Sequence, residues 1–411
     1  MSNIENKVSY LDNGDSTRML PEVLEEILPY LSEHYGNPAS LHQFGLDAEE
    51  AIDSARSKLA EAIGAKPAEI IFTSGATESN NLALNGLRYQ FPDKRHLIIS
   101  PIEHASVDNI AKRWSREGWA EVTKLKVNSE GFVDPDSLRS AIRDDTLLVS
   151  VIHGNMEIGT IQNLTELGEI CREKGVLLHS DCAQTFGKIP LNIGELPVDL
   201  ASFNAHKMHG PKGVGALYIR KKVKVRRYFE GSPQEHGVRP GTENVPGIIG
   251  FAKAAEIAIR DMDKEMKRVD ELAGRLADGL MEIEHVGFNG PPVGKNRLPG
   301  NVNITFRYIE GEAILMHLNI KGVYVSSGSA CSSTTLEPSH VLTAIGLLHE
   351  DAHGSIRYTL SRLNDEEDVQ RALQVTNETV KQLRAMTAFI PEKHSKHVDE
   401  NAQTFYKHKN D

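Results

Sequence analysis

Only three cysteines occur in the 411 residues, Cys171, Cys182 and Cys331. They are too few and too scattered for a disulfide framework or a Cys-x-x-Cys metal site, so no resident metal is expected and at least one is available as a working thiol. Long apolar runs are also missing. No stretch approaches the roughly 18 consecutive apolar residues of a spanning helix, and Met1-Ser2-Asn3-Ile4-Glu5 lacks the basic and apolar regions of a signal peptide. A soluble, cytoplasmic protein without a membrane partner is expected. Basic charge is in deficit, Lys+Arg 46 against Asp+Glu 57, for a formal net charge of -11. That argues against nucleic acid as the main partner, because no local run of Lys and Arg compensates. The one basic cluster, Arg220 to Arg227, alternates with valines and reads as a solvated strand or turn. There is no Gly-x-x-x-x-Gly-Lys-Ser/Thr nucleotide loop, no internal repeat and no low-complexity linker.

What is present is an alternation of helix and strand from about residue 45. Leu46 to Ile63 carries apolar residues at Ile52, Ala55, Leu59 and Ile63, the spacing of one helix face. Short runs that are apolar throughout follow at Ile70 to Phe72, Leu97 to Ile99, Leu147 to Val151, Val176 to Leu178, Leu200 to Phe203 and Ala216 to Ile219. Such runs suit strands buried on both faces, and the intervening helices suit crossovers in a mainly parallel sheet. The expected class is α/β, a mainly parallel central sheet with helices on both faces, plus a smaller α+β domain. The pattern changes after about residue 260, where Asp261 to Ile283 reads as a long charged amphipathic helix. The expected division is a large domain over 15–260, a small domain over 1–14 and 261–388, and a polar tail over 389–411.

Lys207 follows an apolar strand and lies among small residues, histidines and a Gly-Pro break, which suits a Schiff base. Asp181 ends the preceding apolar run. A lysine and an acid at successive strand ends are what a pyridoxal phosphate (PLP) site needs. Gly75-Ala76-Thr77, between a strand and a helix start, offers unpaired backbone N–H groups and a hydroxyl to a phosphate; the same junction is also found as a plain capped turn. His104 follows another strand, where an imidazole can stack on a ring and move protons, or simply hydrogen-bond in a loop. Asn155 and Gln184 stand just beyond strands, where ligands of open α/β sheets gather. Cys331 sits in a run of serines and threonines, a poor place for a structural cysteine and a good one for a mobile nucleophile. Cys171 and Cys182 read as buried. Arg357 is a charge inside an apolar strand, so it either clamps a substrate carboxylate or closes a structural ion pair.

Together these residues resemble the cysteine desulfurases of the NifS/IscS type, class V aminotransferases among the fold-type I PLP-dependent transferases. The motifs run nearly the whole chain: Ser74-Gly75-Ala76-Thr77-Glu78-Ser79-Asn80-Asn81, Asn155-Met156-Glu157-Ile158-Gly159-Thr160, Asp181 with Gln184, His206-Lys207, Gly241-Thr242-Glu243-Asn244 and Ser326 to Ser333. The resemblance implies that Lys207 carries PLP, that Asp181 pairs with its ring nitrogen, that Gln184 contacts its phenolic oxygen and that His104 stacks on it. Ala76, Thr77, Asn204 and His206 would form the phosphate site with Thr242 of a second subunit, which calls for a homodimer. Asn155, near the cofactor, and Arg357 would hold the carboxylate of L-cysteine. Cys331 would take the sulfur as a persulfide and pass it to an iron–sulfur scaffold or another acceptor, with transient cluster ligation by Cys331 a further possibility. The reaction would be that of a sulfurtransferase, cysteine to alanine.

The chain departs from the family pattern at Asn13-Gly14-Asp15-Ser16-Thr17-Arg18, where relatives usually read Asn-Ala-Ala-Thr-Thr-Pro. Asn204 stands where a serine or threonine is usual, Gly231-Ser232-Pro233 replaces a triple glycine, and Pro240 precedes Gly241. These changes keep two other readings open: a selenocysteine lyase or different PLP enzyme, and a catalytically poor homologue acting as a sulfur relay or scaffold-binding partner.

Overall fold

The computed structural model describes residues 8–327 and 338–386. Its centre is a seven-stranded sheet in the order Ile70–Thr73, Gly215–Ile219, Leu200–Asn204, Leu177–Asp181, Thr146–Ser150, His96–Ile99, Glu121–Lys124. Only Gly215–Ile219 runs antiparallel to its neighbours; every other pairing is parallel. Alternate side chains of each strand enter different cores. Ile70, Phe72, Ile98, Val149, Leu178 and Phe203 pack with the helices Gln43–Ala62 and Leu164–Glu173. Ile71, Leu97, Ile99, Leu148 and Leu200 pack with Ala76–Gln90 and Ala105–Arg116. Both faces are therefore covered, which is why these strands read as unbroken apolar runs.

A second, four-stranded antiparallel sheet has the order Ser326–Ser327, Ser355–Thr359, Asn301–Phe306, Val286–Phe288. It shares a separate core with the helices Gly311–Ile320 and Glu366–Met386. Leu11 joins that core, and Ser9–Tyr10 pairs in parallel with Val323–Tyr324. The N-terminal strand thus delivers Asp12 to Asp15 against the end of Ser355–Thr359, where Asp12 bridges Thr359.

The helix expected to begin at Asp261 instead runs unbroken from Val245 to Met281. Its first half, Val245 to Ala255, is apolar and buried in the central-sheet core, so no charged stripe marks it; the second half, Val269 to Leu280, lies in the other core. The expected domain change at residue 260 falls inside this one helix. The Arg220–Arg227 cluster forms a turn and irregular chain after the strand Gly215–Ile219.

Candidate active site

The parallel strands end together on one edge of the sheet. Asp181 is the last residue of Leu177–Asp181 and lies beside Ser202 of the adjoining strand. Lys207 follows that strand by three residues, and its Nζ donates to the carbonyls of Gly14 and Asp15, 2.6 Å from each. Asp181 is buried and accepts from Asn80 Nδ2 at 2.8 Å and from the Ala183 amide at 3.0 Å. Asn80 Nδ2 also lies 2.8 Å from Ser106 Oγ, which is 2.7 Å from His104 Nδ1. A continuous hydrogen-bonded line therefore joins Asp181 to His104. His104 caps the helix Ala105–Arg116 by accepting the Ser106 amide at Nδ1, 3.1 Å away, so the neutral ring carries its proton on Nε2. Burial lowers its pKa and favours that neutral form.

A helix N-terminus lies along the same edge. Gly75 precedes Ala76–Gln90 with φ 153°, a conformation that favours glycine, and no side chain caps the helix. A Cβ built on Gly75 would meet nothing within 4 Å, whereas one on Gly215 would lie 2.6 Å from the Gly75 Cα. That close approach sets the helix N-terminus against Gly215, whose register partner on the next strand is Asn204. Thr77 is exposed and Ala76 half-buried. Asn204 is buried with its Oδ1 lacking a hydrogen-bond partner among the described residues. His206 Nδ1 faces Ser16 Oγ at 3.4 Å, and burial, then the charges of Lys207 and Lys212, pushes its pKa down to about 4. Thr242 is exposed; its neighbour Arg239 pairs with Glu78 in the first turn of Ala76–Gln90 at 2.8 Å.

The third corner is Arg357. It is buried, and its Nη2 lies 2.9 Å from both Asp12 Oδ1 and Asp15 Oδ2. Of the two readings open from the sequence, an internal ion pair is therefore present, and one of its two carboxylates, Asp15, comes from the segment where this chain departs from the family pattern. Arg18, the other charge added there, is exposed. Asn155 is buried and occupied: Nδ2 donates to the Ile102 carbonyl, and Oδ1 accepts the amides of Glu157 and Ile158. Gln184 Nε2 donates to the Gly14 carbonyl at 2.8 Å, and its Oε1 accepts from Lys188. A cavity of about 40 Å³ is lined by Lys207 together with Lys188, His209, Met262 and Leu360. Burial, reinforced by Lys207 and Arg357, lowers the Lys188 amine to about 7.

Cys331 lies outside the described residues, but the chain on either side of it is fixed. Ser326 pairs with Arg357 in register. Ser339 donates to Glu157 Oε2 at 2.7 Å, and His340 Nε2 contacts the Glu103 carbonyl. Cys171 and Cys182 are buried, which pushes both thiols up to about 12. Residue-by-residue reading missed Asn80, Ser106, Lys188 and Asp12 as site neighbours. Asn80 lay inside the Ser74–Asn81 motif, and a polar amide among the buried residues of a helix was the available signal.

A family model described as aminotransferase class-V matches residues 9–372. A cysteine desulfurase IscS from Methanosarcina thermophila is 47% identical over 391 residues, covering 95% of this chain and 96% of that protein. One from Dictyoglomus turgidum is 49% identical over 385 residues, covering 93% and 97%. A solved NifS-like protein superposes with a TM-score of 0.86 at 39% identity, covering 92% of this chain and all of that one. With its edge of strand ends carrying Lys207 and Asp181, the chain belongs to the aminotransferase class-V family, among its NifS/IscS-type members.

Proposed function

We propose that the chain is a PLP-dependent cysteine desulfurase that converts L-cysteine to L-alanine and leaves the sulfur on Cys331. The observation that carries this reading is the spacing of Lys207 and Arg357. One residue, Asp15, spans them, with its carbonyl on the amine and its carboxylate on the guanidinium. An amine and a guanidinium that touch one and the same residue suit an α-amino acid, its nitrogen at Lys207 and its carboxylate at Arg357.

The group set fits PLP: an amine, a buried carboxylate, a neutral imidazole, an uncapped helix N-terminus and the buried amide side chain of Asn204, whose Nδ2 is the end that can donate to a phosphate. Lys207 would hold the cofactor covalently, and Asp181 would hold a proton on its ring nitrogen. His104 would lie against the ring and Gln184 near its phenolic oxygen. Ala76, Thr77, Asn204 and His206 would take the phosphate, with Thr242 from a second subunit. When bound, PLP supplies an electron sink for the carbanion formed at the substrate Cα. Arg357 and Asn155 orient the carboxylate; the freed Lys207 amine removes the Cα proton and returns protons to carbon. The Cys331 thiolate attacks the substrate sulfur, a sulfur–sulfur bond forms as the carbon–sulfur bond breaks, and the electron pair stays with the carbon that becomes the alanine methyl. The high thiol pKa of Cys171 and Cys182 leaves Cys331 as the cysteine suited to this role. Transfer onward to an iron–sulfur scaffold or another acceptor, a homodimer and a cytoplasmic location belong to the same proposal.

The test is to supply L-cysteine and quantify alanine and protein-bound persulfide. Lys207→Ala should lose both products by more than about a hundredfold, and Cys331→Ala should form no persulfide and little alanine. Alanine and sulfide released by Cys331→Ala at the wild-type rate without added thiol would overturn the assignment.

A further inference from the structure

Resting on that reading, we propose that Asp15 is a built-in occupant of the substrate-carboxylate site, displaced by each incoming amino acid and so setting the enzyme's affinity for it. The two carboxylates on Arg357 are not equivalent. Asp12 is held by the bridge of its backbone to Thr359, and its side chain is the less exposed, 20% against 35% for Asp15. Among the described residues, the Asp15 carboxyl has two further contacts, a weak one from Ser326 Oγ at 3.4 Å and a hydrogen bond shared with the Asp12 carboxyl. The Asp15 backbone, by contrast, is anchored on both sides. Gly14 N donates to Thr359 Oγ1 at 2.7 Å, the Gly14 carbonyl accepts from Gln184, and the Asp15 amide donates to the Asp12 carbonyl at 3.1 Å. The Asp15 side chain can therefore swing away by bond rotation while the segment stays in place.

Charge decides that it must. Two carboxylates already share the Arg357 Nη2, with Lys207 as the other cation acting on Asp15, so a third carboxylate must compete for the same donor. The substrate carboxylate replaces Asp15 rather than joining it. Asp12 stays as the arginine's fixed partner, and the vacated contact is the one nearest Lys207, where the amino group is needed. Relatives that carry alanine at this position have no such competitor. The chain therefore binds its amino acid more weakly than its arginine alone would allow, and it releases the product alanine more readily.

The experiment compares holoenzyme wild type, Asp15→Ala, Asp15→Asn and Asp15→Glu. It measures kcat and KM for L-cysteine, together with thermal-shift titrations using L-alanine and, as a carboxylate-free amine, cysteamine. In the Ala and Asn variants KM should fall roughly tenfold, a larger factor than any accompanying change in kcat. The L-alanine midpoint should fall by the same factor and the cysteamine midpoint should not move. Asp15→Glu should keep wild-type values. The proposal is overturned if KM and the L-alanine midpoint are unchanged or higher in both neutral variants, as when Asp15 instead receives the substrate ammonium. It is also overturned if cysteamine tightens as much as L-alanine, which would mean a widened pocket. If no protein makes alanine from cysteine, the assigned function fails, while the two titrations still decide the role of Asp15.

Discussion

Asn80 carries more of the site than its place in the middle of a helix advertises, because one amide nitrogen serves both Asp181 and Ser106. Asn80→Ala should strip a donor from a buried carboxylate and cost about 1–3 kcal/mol. Denaturant unfolding of the protein with and without PLP checks this, and an added loss of PLP affinity separates positioning of Asp181 from mere packing. His206 is a second residue with a directional consequence. Its pKa falls from 6.5 to about 4 on folding, so the neutral ring contributes stability above pH 6.5 that is lost as pH drops through 4. Replacing it by asparagine should therefore flatten the fall of Tm between pH 7 and 4 relative to wild type. Lys207, Asp181 and His104 were legible in the sequence because each stands just past an apolar strand, where chemistry in such sheets gathers. The meeting of Asp15 with Arg357 was not legible. It depends on the N-terminal strand folding back along a strand near the other end of the chain, and no local pattern encodes that contact.

At the scale of elements, the central strands were readable since both faces are buried, and Glu121–Lys124 was not, being a partly exposed edge strand with two charged residues. The first half of the helix Val245–Met281 was hidden for the opposite reason: it is buried almost all round and shows no amphipathic stripe. That helix ties the two cores together, so Ile259→Pro, at an exposed position between its halves, should cost about 3 kcal/mol or more and broaden or split the unfolding transition seen in denaturant. The chain that follows the Cys331 segment depends on another element contact, that of Ser339 with Glu157. Burial raises the Glu157 carboxyl from 4.5 to about 8, against the smaller opposing effect of Ser339. Its acid form contributes stability that is fully present below pH 4.5 and is lost as pH rises through 8. Glu157→Gln, which resembles that acid form, should match wild type in acid and exceed it in Tm near pH 9. Glu157→Ala should lose stability at every pH.

Over the whole molecule, the remaining question is where Thr242 acts. It is exposed in a single chain, while the helix Pro21–Ser32 and the residues after it leave Leu28, Leu31, Tyr35, Leu41 and Phe44 uncovered. Exposed apolar side chains concentrated in one stretch suit the proposed homodimer's interface, and a two-fold pairing would let a residue of each subunit serve its partner's site. Two individually inactive variants test this. Lys207→Ala removes the amine, and Thr242→Glu sets a carboxylate against the cofactor phosphate. If Thr242 serves the partner's site, a dimer with one subunit of each kind concentrates both lesions in one site and leaves the other intact. Mixing the two variants through reversible dissociation should then restore about a quarter of wild-type alanine formation, because half of the dimers are mixed and each has one working site. If Thr242 served its own subunit, every site in the mixture would carry one lesion and activity would stay at the level of the separate variants. Sedimentation of the mixture as dimers, measured alongside, ties any recovery to subunit exchange and makes its absence evidence against a shared site.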